Sequence, residues 1–313
     1  MSSFDSKSKI ILTGGSGFLG THLLRHKAFR NAITIGRSNP SKYHKFKSLL
    51  LNKKFDASKI LQGIDAVVHV AARAHIMNDK DTNSLEKYRQ VNTFGTLELA
   101  KQAALAGVRR FIFISTIKVL GEETMPGKPF NEDSPYNPCD FYSISKTEAE
   151  IGLKEISKNY KMEIVIIRPP LVYGNDVKGN FASLIRLVKS HIPMPFKSIK
   201  NKRSLVSVDN LVDLIVVCLN HPNAKNKIFL VSDGKDMSTS ELFSEISSAM
   251  GYRNFVFSFP KFFLFIFFKI IGKLSIYKRL FGSIQVNIDY TRMQLNWEPP
   301  YEPKDSLKKL LDI

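Results

Sequence analysis

Residues 9–20 read Lys-Ile-Ile-Leu-Thr-Gly-Gly-Ser-Gly-Phe-Leu-Gly, and the architecture of the chain follows from this stretch. Its first part, Lys9 to Thr13, is a short apolar run of the kind found in strands that are buried on both faces. The glycines Gly14, Gly17 and Gly20 allow a tight turn and a close approach of backbone N–H groups to a pyrophosphate, and the N-terminus of the following helix favours its negative charge. The order of strand, glycine turn and helix predicts a dinucleotide-binding unit.

The rest of the N-terminal half alternates short apolar runs with helical patterns. We predict strands at residues 32–35, 65–70, 111–115 and 163–167, and helices at residues 21–29, 84–105 and 141–158. Alternation of buried strands with helices is typical of proteins in which helices cover both faces of a parallel sheet. The predicted fold class is therefore α/β, with a Rossmann-type, doubly wound parallel sheet.

The pattern becomes less regular after residue 172. We predict helices at residues 179–190, 210–219 and 238–250, and a strand at residues 227–232 that returns to the main sheet. The sequence contains no internal repeat and no long linker between its two parts. We therefore predict an NAD(P)-binding Rossmann domain at residues 1–172 and a smaller, interleaved substrate-binding domain at residues 173–313.

Composition and cysteine usage indicate a protein of the cytoplasm. Of the 313 residues, 43% are hydrophobic and 24% are charged, which is ordinary for a soluble globular protein. Cys139 and Cys218 do not make a disulfide framework, and Cys218 lies in an apolar run where we expect a buried free thiol. A free thiol fits a reducing compartment. Residues 1–9 are polar and lack the apolar core of a signal peptide.

The formal net charge of +18 is unusual for such a chain. The lysines are scattered and form no compact arm or aromatic-interleaved stripe, so we predict no nucleic-acid partner. A lysine-rich solvated surface explains the charge, and so does attraction to an anionic substrate or an anionic membrane surface.

Residues 261–273 form a basic, phenylalanine-rich segment whose uninterrupted apolar stretch covers only residues 262–268. A membrane-spanning helix needs roughly 18–20 apolar residues, so this segment does not span. Two interpretations stay open, a helix packed on the second domain and a helix that makes peripheral contact with a membrane.

Tyr142 and Lys146 stand four positions apart in a predicted helix, so the phenol and the ammonium share one face. An ammonium about 5 Å from the phenol, at an effective dielectric of about 20, lowers the phenol's pKa by about two units. The phenol then serves as acid or base near neutral pH during hydride transfer at a carbonyl carbon. Thr116, at the end of its strand, can hydrogen-bond the reacting oxygen. The predicted catalytic residues are Thr116, Tyr142 and Lys146.

The end of the second strand indicates which dinucleotide is bound. Sites that prefer NAD usually place an acidic residue about 20 positions after the first glycine. This sequence has Gly36-Arg37-Ser38 instead, and Arg37 could pair with a 2′-phosphate. We expect NADP(H) to be favoured, with NAD as the other possibility.

Several segments resemble the extended short-chain dehydrogenase/reductase family, in its nucleotide-sugar epimerase/dehydratase group. They follow the order of that group along nearly the whole chain, at residues 13–20, 69–72, 92–96, 115–121, 142–146, 168–174, 203–213 and 295–299. Residues 71–79, 117–124 and 168–174 more closely resemble bacterial surface-polysaccharide enzymes, which include UDP-glucose 4-epimerase-like proteins and UDP-N-acetylquinovosamine dehydrogenases.

The resemblance implies roles for further residues. It places Phe18, Leu19, Ala71, Ala72, Asn92 and Pro169 at the cofactor, together with Tyr142 and Lys146. It places Asn180 and Arg203 beside the nucleotide diphosphate of a UDP-sugar substrate, whose reacting oxygen Thr116 contacts. We expect no metal, and we expect a homodimer.

Two departures from the family narrow the activity, and one is the missing acid around Arg37, which disfavours the tightly held NAD that is typical of 4-epimerases. Sugar 4,6-dehydratases carry an Asp-Glu pair directly after the catalytic threonine, whereas this chain has Ile117-Lys118. The leading hypothesis is therefore reduction of the 4-keto group of UDP-4-keto-6-deoxy-N-acetylglucosamine to UDP-N-acetylquinovosamine for O-antigen or capsule synthesis. The alternative is a UDP-glucose or UDP-N-acetylglucosamine 4-epimerase with bound NAD. A remote alternative is a non-catalytic module that senses NADP.

Overall fold

The computed structural model describes residues 8–40, 45–52, 54–74, 84–177, 179–253 and 256–311; residues 75–79 of the closer resemblance lie outside this part. The strands of the described part are β1 (Ile10–Thr13), β2 (Ile33–Gly36), β3 (Lys45–Ser48), β4 (Ala66–His69), β5 (Arg110–Ile114), β6 (Glu163–Arg168), β7 (Leu171–Tyr173), β8 (Leu205–Ser207) and β9 (Lys227–Leu230). Its helices are α1 (Phe18–Arg25), α2 (Ser58–Leu61), α3 (Ser84–Tyr88), α4 (Thr96–Leu105), α5 (Phe141–Asn159), α6 (Asn180–Lys189), α7 (Val208–Asn220), α8 (Thr239–Ala249), α9 (Lys261–Ile270), α10 (Leu274–Phe281), α11 (Asp289–Leu295) and α12 (Pro303–Leu311).

Seven of these strands form one parallel sheet in the order β3-β2-β1-β4-β5-β6-β9. The chain winds outward from β1 through β2 and β3, and then starts again beside β1 with β4. This order confirms the predicted Rossmann-type, doubly wound sheet. Ligands of such sheets bind outside the carboxyl ends of the strands at the point where the order reverses, which here is between β1 and β4.

The sheet has a hydrophobic core on each face. Successive side chains of a strand point to opposite faces, so Ile10 and Leu12 join one buried cluster while Ile11 joins the other. The first cluster includes Leu23 of α1, and the second includes Leu153 of α5. Burial on both faces explains why β1 has apolar residues at successive positions rather than at every second one.

Two elements that follow residue 172 complete the first of these cores. Strand β9 pairs in parallel with β6, and α7 buries Leu211, Leu214 and Cys218 against the sheet. A third buried cluster, which includes Phe181 and Phe243, belongs wholly to the C-terminal part of the chain. The division into residues 1–172 and 173–313 stays a prediction, and residue 172 does not separate the cores from one another.

Some elements differ from the sequence-based expectation. Helix α1 begins at Phe18 rather than at residue 21, because the glycine turn is only a few residues long. The long predicted helix over residues 84–105 contains a π-helical segment, Arg89–Gly95, between α3 and α4. The short strand β3 was not predicted, since its residues are mostly exposed and lack an apolar pattern. Within the described residues, no helix is long and apolar enough to cross a membrane.

Candidate active site

A cleft of about 790 Å³ opens at the carboxyl ends of β1, β2, β4 and β5. The predicted site residues that line it are Gly14, Gly17, Phe18, Leu19, Arg37, Ala71, Ala72, Thr116, Tyr142, Lys146 and Pro169. Gly20, Asn92 and Arg203 lie elsewhere, and the side chain of Asn180 lies outside the described part. The fold therefore brings the glycine turn and all three predicted catalytic residues to one cleft.

The glycine turn has the form of a cradle that side chains would fill. Gly14 adopts a φ of +73°, and a Cβ added to it would lie 2.6 Å from the backbone nitrogen of Ala71. A Cβ on Gly20 would overlap the carbonyl oxygen of Gly14, so Gly20 lets α1 pack against the turn and does not line the cleft. Among the described residues, no side chain caps α1 at Gly17, which leaves the first N–H groups of α1 for a ligand. These features fit the pyrophosphate of a dinucleotide.

A buried histidine of β4 joins this strand to β1 and to the start of α4. The ring of His69 contacts the hydroxyls of Thr13 (Nδ1, 2.8 Å) and Thr96 (Nε2, 2.9 Å). Thr96 donates its hydrogen to the carbonyl of Asn92, and the N–H of Ala71 donates to Thr13. Since each hydroxyl has one hydrogen, this chain of bonds assigns the proton of His69 to Nε2. Burial lowers the pKa of His69 to about 3, which keeps the ring neutral.

Lys146 projects from α5 into a dry environment at the end of β5. Its side chain is 1% exposed, and its Nζ donates to the carbonyl of Ile114 at 2.8 Å. The same Nζ lies 4.3 Å from the ring centroid of Phe113, where the ring face attracts a cation. Burial lowers the pKa of Lys146 to about 7, although the carboxylate of Glu150 acts in the opposite direction.

The phenol of Tyr142 has a raised pKa in the protein, which corrects the expected effect of Lys146. Burial raises the pKa of Tyr142, and the carboxylate of Asp140 and the phenol of Tyr88 raise it further. Lys146 directs its ammonium to a backbone carbonyl and does not offset these effects. The groups of the protein alone therefore hold Tyr142 in its protonated form at neutral pH.

Thr116 ends the segment that follows β5, with its hydroxyl accepting the N–H of Lys118 at 3.3 Å. That bond leaves the hydroxyl hydrogen to be donated into the cleft. The next two residues carry no carboxylate, since Ile117 is buried in the core and Lys118 pairs with Asp140 at 2.7 Å. Asp140 also caps α5 by accepting the N–H of Ser143. The loop after β5 is thus tied to the start of the helix that carries Tyr142.

A buried polar cluster behind Thr116 was not predicted from the sequence. Glu150 forms an ion pair with Arg168 at 2.6 Å, and their side chains are 0% and 2% exposed. The same carboxylate accepts hydrogen bonds from Ser115 and Tyr136. The only local signal was the position of Glu150, four residues after Lys146 on the same helix face. The cluster fixes the ends of β5 and β6 against α5.

Two further residues implied by the resemblance bind the protein itself. The amide of Asn92 accepts the N–H of Arg73 and donates to the Arg73 carbonyl and to Ser145, so it joins the loop after β4 to α5. The guanidinium of Arg203 donates to the carbonyls of Arg279 and Gly282. Burial lowers the pKa of Arg203. Contact of Asn92 with a cofactor and of Arg203 with a diphosphate stay predictions.

Comparison with known proteins finds sugar 4-epimerases that match most of the chain. A UDP-glucose 4-epimerase of Vibrio cholerae is 46% identical over 306 residues, which is 96% of this chain and 93% of that protein. An N-acetyl-alpha-D-glucosaminyl-diphospho-ditrans,octacis-undecaprenol 4-epimerase of Escherichia coli O157:H7 is 27% identical over 246 residues, 77% of this chain and 72% of that protein.

Solved structures share the fold at lower identity. UDP-glucose 4-epimerase from Thermotoga maritima, solved with UDP-glucose, has a TM-score of 0.77 and 20% identity, covering 97% of both chains. UDP-glucuronic acid 4-epimerase from Bacillus cereus, solved with NAD, has a TM-score of 0.76 and 22% identity, also covering 97% of both chains. A family model described as the NAD dependent epimerase/dehydratase family matches residues 10–232. The chain belongs to the NAD dependent epimerase/dehydratase family.

Proposed function

We propose that the chain is a UDP-hexose 4-epimerase. The observation that carries the proposal is that Thr116, Tyr142 and Lys146 line the same cleft as the glycine turn. A sugar carbon placed between these side chains would lie beside a dinucleotide held by the turn. The relative that is 46% identical over nearly the whole chain is a UDP-glucose 4-epimerase, and this favours epimerisation over the 4-keto reduction that we expected first.

The residues of the cleft account for the proton chemistry of such a reaction. A bound nicotinamide cofactor supplies reversible hydride transfer at C4 and, in its oxidised form, a positive charge that favours the phenolate of Tyr142. Tyr142 would take the proton of the C4 hydroxyl when C4 is oxidised, and would give a proton back to O4 when C4 is reduced from its other face. Thr116 donates a hydrogen bond to O4 throughout. Lys146 is held beside the reacting groups by its hydrogen bond to the carbonyl of Ile114.

The position of Arg37 supports a second candidate function. Arg37 lines the cleft directly after β2, and its neighbours in the sequence include no acid. A guanidinium at this position suits the 2′-phosphate of NADP(H). NADPH is a reductant that is consumed and exchanged, so this feature favours a UDP-sugar 4-ketoreductase. Both candidates use Thr116, Tyr142 and Lys146 in the same way.

Elimination of water is not part of either proposal. Ile117 and Lys118 occupy the positions after Thr116, where an acid and a base would be required. Since Ile117 is buried and Lys118 is paired with Asp140, neither can exchange a proton with a sugar hydroxyl in the cleft. We infer that sugar 4,6-dehydration is absent.

One experiment separates the candidates. The purified protein is incubated with UDP-glucose and with UDP-N-acetylglucosamine without added nicotinamide, and the products are identified by NMR. In parallel it is incubated with UDP-4-keto-6-deoxy-N-acetylglucosamine and NADPH, and NADPH absorbance is followed. A 4-epimer formed without cofactor consumption supports the epimerase, whereas stoichiometric NADPH oxidation supports the reductase and overturns our first proposal. Turnover in neither assay contradicts both.

A further inference from the structure

Helix α9 carries an exposed apolar surface that no part of the described chain covers. Phe262, Phe263, Phe267 and Ile270 are 67, 57, 55 and 78% exposed, whereas Leu264 is buried at 8%. At 3.6 residues per turn the four exposed side chains fall within an arc of about 140°, and Leu264 points away from it. The outer face of α9 is therefore apolar, which is the reverse of the pattern for a surface helix of a soluble protein.

Neighbouring aromatic residues extend this surface along the chain. Phe257 and Phe259, before α9, are 43% and 38% exposed. Their ring centroids lie 6.4 Å apart, and that of Phe259 lies 6.1 Å from that of Phe263. We call the exposed set Phe257, Phe259, Phe262, Phe263, Phe267 and Ile270 the phenylalanine ridge. A contiguous apolar surface of this kind marks an interaction site.

The ridge is surrounded by positive charge. Residues 246–288 contain no aspartate or glutamate, and the exposed cations Lys261, Lys269, Lys273 and Lys278 flank the ridge. The backbone of Phe257 forms hydrogen bonds with the backbones of Met194 and Lys197. These two residues belong to another stretch without aspartate or glutamate, residues 177–208. A partner of this surface must therefore contact apolar aromatic rings and also carry negative charge that attracts the lysines.

The ridge is fixed to the third buried cluster, against which Phe281 packs. Tyr277 of α10 stacks on Phe281 with ring centroids 4.2 Å apart, and its ring also lies 5.4 Å from that of Phe265. The amide of Asn201 donates to the carbonyls of Leu280 and Gly282, which anchors the end of α10. The ridge thus presents a preformed surface, so a partner binds it without first ordering α9.

We propose that the phenylalanine ridge docks this protein on an anionic phospholipid surface. A short basic helix with phenylalanine on one face lies in the interface plane, with its rings at the boundary of headgroups and acyl chains and its lysines at the lipid phosphates. Each lysine near an anionic bilayer strengthens binding about fivefold. A second copy of the chain fits less well, because pairing two ridges would bring the flanking lysines of both copies together. This inference is independent of the reaction catalysed in the cleft.

The test is flotation of the purified full-length protein with vesicles of phosphatidylcholine alone or mixed with phosphatidylglycerol. We expect binding to the mixed vesicles that weakens as salt is raised, and little binding to neutral vesicles. Phe263→Glu/Phe267→Glu is expected to reduce the partition coefficient about tenfold or more. Lys269→Ser/Lys273→Ser is expected to reduce it by a similar factor, and only with anionic vesicles.

A matched variant separates the ridge from the net charge of the whole protein. Met125→Glu/Met293→Glu changes the charge by the same amount at two apolar side chains that are 70% and 71% exposed elsewhere on the surface. It is expected to bind nearly as well as the unaltered protein. If Met125→Glu/Met293→Glu loses as much vesicle binding as Phe263→Glu/Phe267→Glu, the loss comes from the net charge of the protein, and the proposal is overturned. Absence of vesicle binding would also overturn the proposal. So would a dimer that Phe263→Glu/Phe267→Glu dissociates in sedimentation velocity, because a second copy of the chain would then be the occupant of the ridge.

Discussion

Single residues in the cleft show how burial sets their chemistry. Burial raises the pKa of Tyr142 and lowers the pKa of Lys146, so both side chains are driven toward their neutral forms. His69 is neutral for the same reason. These three side chains therefore add little charge near the reacting position, and positive charge brought by a cofactor would act there with little screening.

The phenol of Tyr142 is the group whose removal should abolish turnover. Tyr142→Phe keeps the ring and its edge contact with Tyr88 but cannot carry a proton, so we expect the rate to fall by about 10²–10⁴. The measurement is kcat for the reaction identified above, with cofactor binding followed by fluorescence titration. Tyr301→Phe, at an exposed tyrosine, is the control and should retain full activity. Unchanged turnover in Tyr142→Phe would remove this residue from the mechanism.

The buried ammonium of Lys146 predicts a pH-dependent stability. Its pKa is about 7 in the folded protein and about 10.4 in an unfolded chain. Between these values the unfolded chain holds the proton and the folded one does not, so this residue makes stability rise with pH. Below pH 7 both states are protonated, and the full cost of burying the cation is present.

The variant Lys146→Met should lack this dependence. We expect the free energy of unfolding of the unaltered protein to gain about 3–4 kcal/mol relative to Lys146→Met between pH 7 and pH 10, as measured by urea unfolding. Lys158→Met changes an exposed lysine of the same helix and should follow the unaltered protein. A constant difference between the unaltered protein and Lys146→Met would show that the ammonium is not held in a dry site.

At the level of elements, α5 connects the catalytic chemistry to the sheet. Its N-terminus is fixed by Asp140, which accepts the N–H of Ser143 and pairs with Lys118. Burial raises the pKa of Asp140. The hydrogen bonds from Lys118 and Ser143, together with the positive charge of Lys118, outweigh the effect of burial and hold this pKa below its usual value. Further along, Glu150 fixes the same helix to Arg168 at the end of β6. The position of Tyr142 thus depends on contacts at the N-terminus and in the middle of one helix.

Loss of the cap at Asp140 should affect stability and catalysis together. Asp140→Ala is expected to cost about 1–2 kcal/mol, and also to lower kcat because Tyr142 lies in the first turn of α5. The folded carboxyl has a lowered pKa, so its contribution is complete above about pH 4 and decreases as the pH falls further. Urea unfolding at neutral and acidic pH measures the loss of stability and its dependence on pH.

The control for this prediction is another capped helix. Ser238 caps α8 with a capping box, far along the chain from the catalytic residues. Ser238→Ala should lose a similar amount of stability with kcat unchanged. If both variants lose activity equally, the cap of α5 has no special relation to the site.

Elements with local signals were predicted well from the sequence, and those set by tertiary contacts were not. Strands β1, β4 and β5 are buried at every position, so each appears as an apolar run. Strand β3 is an exposed sheet edge that reads Lys-Phe-Lys-Ser, and its burial pattern leaves no such run. The glycine turn and the Tyr142–Lys146 pair are also local, which explains why the cleft lining could be predicted.

The supporting contacts of the site join distant parts of the chain and had no local pattern. Asn92 reaches Ser145 across 53 residues, and the guanidinium of Arg203 reaches the carbonyl of Arg279 across 76 residues. Such bonds depend on how elements pack, which one sequence does not reveal. The raised pKa of Tyr142 has the same origin, because burial rather than helix spacing controls it.

On the scale of the whole molecule, the cleft is built by both parts of the chain. Leu211 of α7, which follows residue 172, lines it together with the glycine turn of the N-terminal part. Helix α7 also belongs to the first core of the sheet, and the chain continues from it through β9 into α8 of the third cluster. A change in one core should therefore be transmitted to the other, and we expect the described fold to unfold as one cooperative unit.

The single tryptophan makes this cooperativity measurable. Trp297 is 4% exposed in the first core and donates its Nε1–H to Asp213. Phe229, at 0% exposure, belongs to the same core as Trp297, whereas Phe243, at 3%, belongs to the third cluster.

Replacing either phenylalanine with alanine should cost about 3–5 kcal/mol. If the molecule unfolds as one unit, Phe243→Ala shifts the urea transition of Trp297 fluorescence as far as Phe229→Ala does, and circular dichroism follows the same curve. A fluorescence transition that Phe243→Ala leaves in place, with a separate earlier transition in circular dichroism, would show instead that the third cluster unfolds independently while the sheet stays folded.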